Sequence, residues 1–334
     1  MKRFLTNLMC VVMAVLMVFG LASCKKPQDD NSYTLYVPDG APALSVARLL
    51  NTNNAVENLN IKVVQASMIS SYVTGENPKA DFAIMPVNAC SKLLGSAKDY
   101  KMLGVVTHGN LFLMKKANGV NITTSNLSEL IGKKVGVINL TNVPGLTFKA
   151  ILTQNNIPFT SEVASFSEQT VNLVALADGM AVMPNSECDY FVVPEPAMTT
   201  KQNATQGKLS LSASLQELYG GTEGYPQAVL VGKNSVISTA VAQNLINSFS
   251  QNQAWLTDAN TKMEDVISAV KSGYIDDFSP TFSAQNLNAT VINNCAIKFM
   301  DAQSQKQSVL AYLQKINAIS ANAWGTPVDE FFYK

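Results

Sequence analysis

Lys134-Val135-Gly136-Val137-Ile138, followed by Asn139-Leu140-Thr141-Asn142-Val143-Pro144-Gly145, is the stretch from which the fold is read. Its first half is apolar, rich in β-branched residues and bounded by turn formers, which predicts a buried strand. Its second half is small and polar with one proline, and a helix is predicted from about 145 to 154. The same handover recurs three times. Residues 33–37 lead into Pro38-Asp39-Gly40-Ala41-Pro42, 81–85 into Pro86-Val87-Asn88-Ala89, and 190–193 into Pro194-Glu195-Pro196-Ala197. Strands that alternate with helices imply parallel sheets in an α/β fold.

Working outward, further strands are predicted at 61–64, 102–107, 111–114 and 228–231. His108-Gly109-Asn110 turns between the second and third of these. Helices are predicted over 42–50, near Val87 and over 168–177. From Val236 onward the pattern reads as helical, in segments 238–258, 262–272, 284–300 and 303–318, which should cover one domain's sheet.

The four handovers make candidate ligand contacts. The first N–H groups of a helix have no partner inside it, and the helix dipole favours an anion there. Small residues let a ligand approach the main chain, and open α/β sheets bind ligands beyond the carboxyl ends of their strands. The candidates are Asp39, Gly40, Ala41, Pro42, Asn88, Ala89, Thr141, Asn142 and Glu195. The competing reading is that these residues only build tight turns and helix caps. Glu195 reads either as a group for a ligand's cation or as a cap, and Asp39 either as a contact or as a turn carboxylate. Tyr36, Tyr72 and Tyr225 read either as core or as ring-stacking groups.

The N-terminus reads as an export signal. Lys2 and Arg3 precede an uncharged apolar run over 8–21, too short for a permanent membrane span. Leu21-Ala22-Ser23-Cys24 resembles a bacterial lipobox, which implies that residues 1–23 are removed and that Cys24 carries lipid. Residues 24–32 are too polar to order themselves and read as a tether. Cys24→Ala is expected to release the protein from membranes, and detergent phase separation checks it.

Without this leader two more acidic than basic side chains remain, with no basic face, so nucleic acid is excluded as a partner. Cys90, Cys188 and Cys295 are odd in number and far apart, neither a disulfide framework nor a metal set. They read as small buried residues, with one disulfide left open. His108 is the sole histidine, and no Gly-x-Ser-x-Gly, P-loop or Gly-x-Gly-x-x-Gly motif occurs, so neither catalysis nor a cofactor is expected. His108 reads as structural or hinge-forming, or as a ligand contact.

Four segments carry a family resemblance: Asp39-Gly40-Ala41-Pro42-Ala43, Asp81-Phe82-Ala83-Ile84-Met85-Pro86, Ile131-Gly132-Lys133-Lys134-Val135-Gly136-Val137 and Val192-Val193-Pro194-Glu195-Pro196-Ala197. Over about 33–232 the chain resembles a type 2 periplasmic solute-binding protein of an ABC importer, in the sulfonate- and thiamine-precursor-binding (SsuA/THI5-like) group. The resemblance implies two α/β lobes, 33–115 with 229–334 and 117–227, joined by crossing strands near 111–116 and 228–233. It implies a monomeric, lipid-anchored, extracytoplasmic receptor that closes on a small organic solute, anionic or heteroaromatic, and delivers it to a membrane permease and ATPase. Two alternatives stay open: a receptor reporting to a membrane sensor, and an enzyme on the same fold such as a dehydratase or pyrimidine synthase. The sequence does not name the solute.

Overall fold

The computed structural model describes residues 32–51, 56–94, 99–220, 223–321, 325 and 327–334. The predicted leader, the Cys24 anchor and the tether up to residue 31 lie outside the described residues. The chain opens with β1 (Tyr33–Pro38), α1 (Ala41–Leu44), α2 (Ala47–Leu50), β2 (Leu59–Val64), β3 (Phe82–Pro86), α3 (Val87–Leu94) and β4 (Tyr100–Thr107). It then runs through β5 (Leu111–Lys116), β6 (Lys134–Ile138), α4 (Val143–Gln154), β7 (Phe159–Thr160), β8 (Val171–Leu176), β9 (Tyr190–Pro194), α5 (Ala197–Ala204), β10 (Leu209–Ser214) and α6 (Leu215–Tyr219). It closes with β11 (Ala228–Lys233), α7 (Ala240–Thr257), α8 (Met263–Ser272), α9 (Ala289–Asn294), β12 (Ile297–Asp301) and α10 (Ala302–Ile319).

Two six-stranded mixed sheets result, ordered β12-β4-β11-β3-β1-β2 and β10-β5-β9-β6-β8-β7. Each has a parallel part, β2-β1-β3 in the first and β9-β6-β8-β7 in the second. Each also has a strand, β11 or β5, running antiparallel to its neighbours. Phe82-Ala83-Ile84-Met85 in β3 and Val135, Val137 in β6 are fully buried, as expected for parallel strands covered on both faces. All four handovers are strand followed by helix, as the sequence predicts.

The chain passes from the first sheet to the second between 107 and 111 and returns between 214 and 228. Leu111–Lys116, which the sequence reading leaves mostly in the first lobe, pairs with β9 and β10 in the second sheet. The turn at His108-Gly109-Asn110 is therefore the crossing itself.

Three predicted elements differ. The segment 168–177 is read as a helix from its apolar spacing, but Val171–Leu176 is β8, parallel to β6 and β7. A short apolar run does not distinguish a buried strand from a helix. The predicted helix over 284–300 is only the short α9, because Ala296 takes a left-handed conformation (φ 47°) and the chain re-enters the first sheet as β12. The predicted helix over 42–50 breaks into α1 and α2 at Ser45-Val46. The strand β10 has no counterpart in the sequence reading.

One apolar core joins the two sheets. It runs from Met85, Tyr100 and Val105 of the first through Leu111 and Leu113 to Val135, Phe148 and Ile151 of the second, and includes Val309, Tyr312 and Ile316 of α10. The helix α10 thus leaves the edge strand β12 of the first sheet and packs on α4 of the second. There Tyr312 Oη and Thr147 Oγ1 share a buried hydrogen bond of 2.8 Å, and Lys315 Nζ donates to Gln154 at 2.8 Å.

Candidate functional site

A cleft of about 410 Å³ lies beyond the carboxyl ends of the parallel strands β6, β8 and β9. Ile138 and Asn139 after β6, Ala177-Asp178-Gly179 after β8, and Pro194-Glu195-Pro196-Ala197 after β9 form one wall, continued by Thr200 and Lys201 of α5. Thr281 and Asn286 face them. These two belong to the segment after α8, which follows the edge of the first sheet, where Tyr274 bridges Val63 of β2. Both sheets therefore contribute to the cleft, in the position where open α/β sheets bind ligands.

Asp39 holds the second wall in place. Its Oδ1 accepts from the Tyr274 hydroxyl at 2.9 Å and its Oδ2 from the Thr281 amide at 2.8 Å. Burial and the Asp39 charge push the Tyr274 hydroxyl well above its ordinary range, so it stays a donor. Of the two sequence readings of Asp39, its contacts fit the structural carboxylate. Gly40 beside it is buried, with φ 102° and ψ −152°, backbone favourable only to glycine, and Thr281 lies against it.

Of the nine candidate contacts, Glu195 alone lines the cleft. It is 3 % exposed. Its Oε1 accepts from Thr199 Oγ1 at 2.8 Å and Asn294 Nδ2 at 2.7 Å, and its Oε2 from the Thr199 amide at 3.2 Å. It both caps α5 and reaches across to α9 of the other wall. Asp39 and Gly40 touch the cleft only through Thr281. Ala41 and Pro42 lie in α1 and do not line it. Thr141 and Asn142 are exposed, and the Asn142 side chain leaves α4 uncapped. Ala89 is half-buried on α3.

Asn88 is different. It is 8 % exposed, and among the described residues its side chain makes no hydrogen bond. The preceding amide, of Val87, donates to the carbonyl of Gln227, whose side chain donates to Asn110 Oδ1 at 2.7 Å. The Glu195 amide in turn donates to the Asn110 carbonyl. Asn88 and Glu195 thus flank the same crossing, on opposite sheets. The sequence reading missed Asn139, Asp178, Lys201 and Asn286. Asn139 had a visible signal, because it holds φ 56° in the turn that ends β6 and asparagine tolerates that region. Asn286 had none, since it joins the site only through the Asp39 tether.

Tyr36 and Tyr225 are core residues, and Tyr72 is half-buried and packs against the core. Tyr36 and Tyr72 stack on each other at 4.0 Å, and Tyr225, fully buried, stacks on Tyr312 at 5.8 Å. Cys90, Cys188 and Cys295 are buried free thiols. His108 is 4 % exposed at the crossing, with Nε2 3.1 Å from the Lys298 carbonyl, beside a separate cavity of about 230 Å³ under the Glu223–Lys298 ion pair. Burial lowers its pKa below 6.5, outweighing the Lys298 carbonyl and Glu223. The unfolded chain then binds a proton that the folded chain refuses, so stability falls as pH drops below about 6.5. Denaturant titrations at pH 7.5 and 5.5 are expected to give a smaller loss for His108→Gln than for the parent.

The architecture has solved counterparts. An ABC transporter structure from Parabacteroides distasonis superposes with a TM-score of 0.72 at 16% identity, covering 91% of this chain and 99% of that one. The periplasmic aliphatic sulphonate binding protein SsuA from Escherichia coli gives 0.61 at 14% identity, covering 91% and 92%. This chain has the fold of the SsuA-like periplasmic binding proteins. A zinc-bound ligand-binding component of an ABC-type import system from Staphylococcus aureus superposes on this chain more loosely, with a TM-score of 0.54 at 11% identity, covering 91% of this chain and 96% of that one. No protein-family model and no curated protein matches the sequence.

Proposed function

We propose that this chain is the solute-binding lipoprotein of an ABC importer, anchored through Cys24 and capturing a small organic solute between two lobes built on its two sheets. The observation that carries this reading is the cleft at the carboxyl ends of β6, β8 and β9, walled on its far side by Thr281 and Asn286 from the segment that runs beside the edge of the first sheet. The SsuA-like fold supports it, because the Parabacteroides distasonis and Staphylococcus aureus proteins named above are described as ABC-transport components and the Escherichia coli one as a periplasmic sulphonate binding protein. The mechanism is closure of one lobe on the other around the 107–111 and 214–228 crossings, a hinge motion without chemistry. Closure would bring the exposed Thr141 and Asn142 towards Asn88.

The test begins with mass spectrometry of solute carried through purification, followed by calorimetry on the stripped protein. Solution scattering is expected to show a smaller radius of gyration when that solute is returned. Once closure has buried both side chains against the solute, Asn88→Ala and Asn142→Ala are each expected to weaken binding about ten- to a hundredfold, the cost of one buried polar group losing its partner, about 1–3 kcal/mol. Parent affinity in both folded variants would remove these handovers from the site.

A further inference from the structure

Two opposite charges face the cleft, and among the described residues neither has an ionic partner. The Glu195 carboxylate is buried, its three donors are all neutral, and among the described residues no lysine, arginine or histidine pairs with it. Buried carboxylates are almost always paired with a cation or a metal. The N-terminus of α5, which carries about half a positive charge, offsets the carboxylate only in part, and a neutral amide oxygen could accept the bond from Asn294. Lys201, one turn into α5, lines the same cleft, and among the described residues its ammonium makes no ion pair and no hydrogen bond. The two side chains do not pair with each other either.

We propose that the cleft selects a zwitterionic small solute, with its cationic group on Glu195 and its anionic group on Lys201. This rests on the solute-binding reading above and narrows it. A simple anion would satisfy Lys201 but be repelled by Glu195, and a simple cation would leave Lys201 unpaired, so only a solute carrying both charges matches both.

The whole chain is purified, and any retained solute is released by denaturation and identified by mass spectrometry. The refolded protein is then melted with 4-aminobutyrate, glycine betaine and carnitine, and with the singly charged butyrate, butylamine and choline. Any retained solute is expected to carry both a positive and a negative group at pH 7. At least one panel zwitterion is expected to raise Tm, while its singly charged counterparts do not. Lys201→Met and Glu195→Gln should each weaken zwitterion binding tenfold or more. Lys201 is half-exposed, so its variant folds and carries the test if the Glu195 variant does not. A retained solute lacking either charge, a singly charged compound that stabilises as well as the zwitterions, or unchanged binding in Lys201→Met overturns the proposal. Those outcomes leave the solute-binding reading standing. A chain that retains nothing and responds to no panel member overturns both.

Discussion

Tyr312→Ala is expected to lower stability by about 3–5 kcal/mol, the range for truncating a large, fully buried aromatic side chain. Tyr312 is 0 % exposed, its ring lies 5.8 Å from Tyr225 and 6.0 Å from Tyr219, and its hydroxyl is hydrogen-bonded to Thr147. The loss has a second component beyond the cavity. Tyr312 belongs to α10, which starts from the first sheet, whereas Thr147 belongs to α4 of the second, so truncation loosens one sheet's helices from the other's. Tyr312→Phe keeps the ring and removes the hydroxyl, which leaves Thr147 without its partner at a cost of about 1–2 kcal/mol. Thermal unfolding of the two variants beside the exposed control Gln314→Ala separates the contributions. A Tyr312→Ala melting point equal to that of the control would mean that α10 does not brace the two sheets.

Gly145→Ala is expected to cost about 3 kcal/mol or more, the upper end of overpacking. A Cβ at 145 would lie 1.9 Å from the Leu140 carbonyl oxygen and 2.4 Å from its carbon. Both neighbours are backbone, so no side-chain rotation relieves the clash. Either the turn 139–142 must lift off the start of α4 or the helix must shift. Since Asn139 of that turn lines the cleft, solute binding should weaken together with stability. Gly179→Ala is the contrast, because its nearest neighbour would be the Ala197 Cβ at 3.9 Å. It is expected to melt within about 0.5 kcal/mol of the parent, as for a substitution that disturbs no packing. Equal melting of the two variants would refute the close approach of Leu140.

The glycine and proline positions, the β-branched runs and the polar breaks after them are local properties, and they were enough to determine the α/β class and all four strand-to-helix handovers. Local properties failed where two periodicities overlap. Val171–Leu176 pairs as a strand only because β6 and β7 lie on either side of it. Ile297–Asp301 is drawn out of a helical pattern by pairing with β4.

The candidate site divides in the same way. Glu195 was legible as a carboxylate between two prolines at a strand end. That it is buried, bonded to Asn294 and short of a counter-charge depends on residues far away in the sequence. Lys201, Thr281 and Asn286 enter the cleft because α5 turns back over β9 and Asp39 tethers the 274–281 segment, and these are contacts between distant parts of the chain. Sequence pattern alone determined which segments would be strand ends with free amides and small residues, since backbone geometry and polarity are encoded residue by residue. Only the tertiary structure decided which of those ends face a common cavity and which charges are left unpaired there, because burial and pairing are set by neighbours that the chain brings together when it folds.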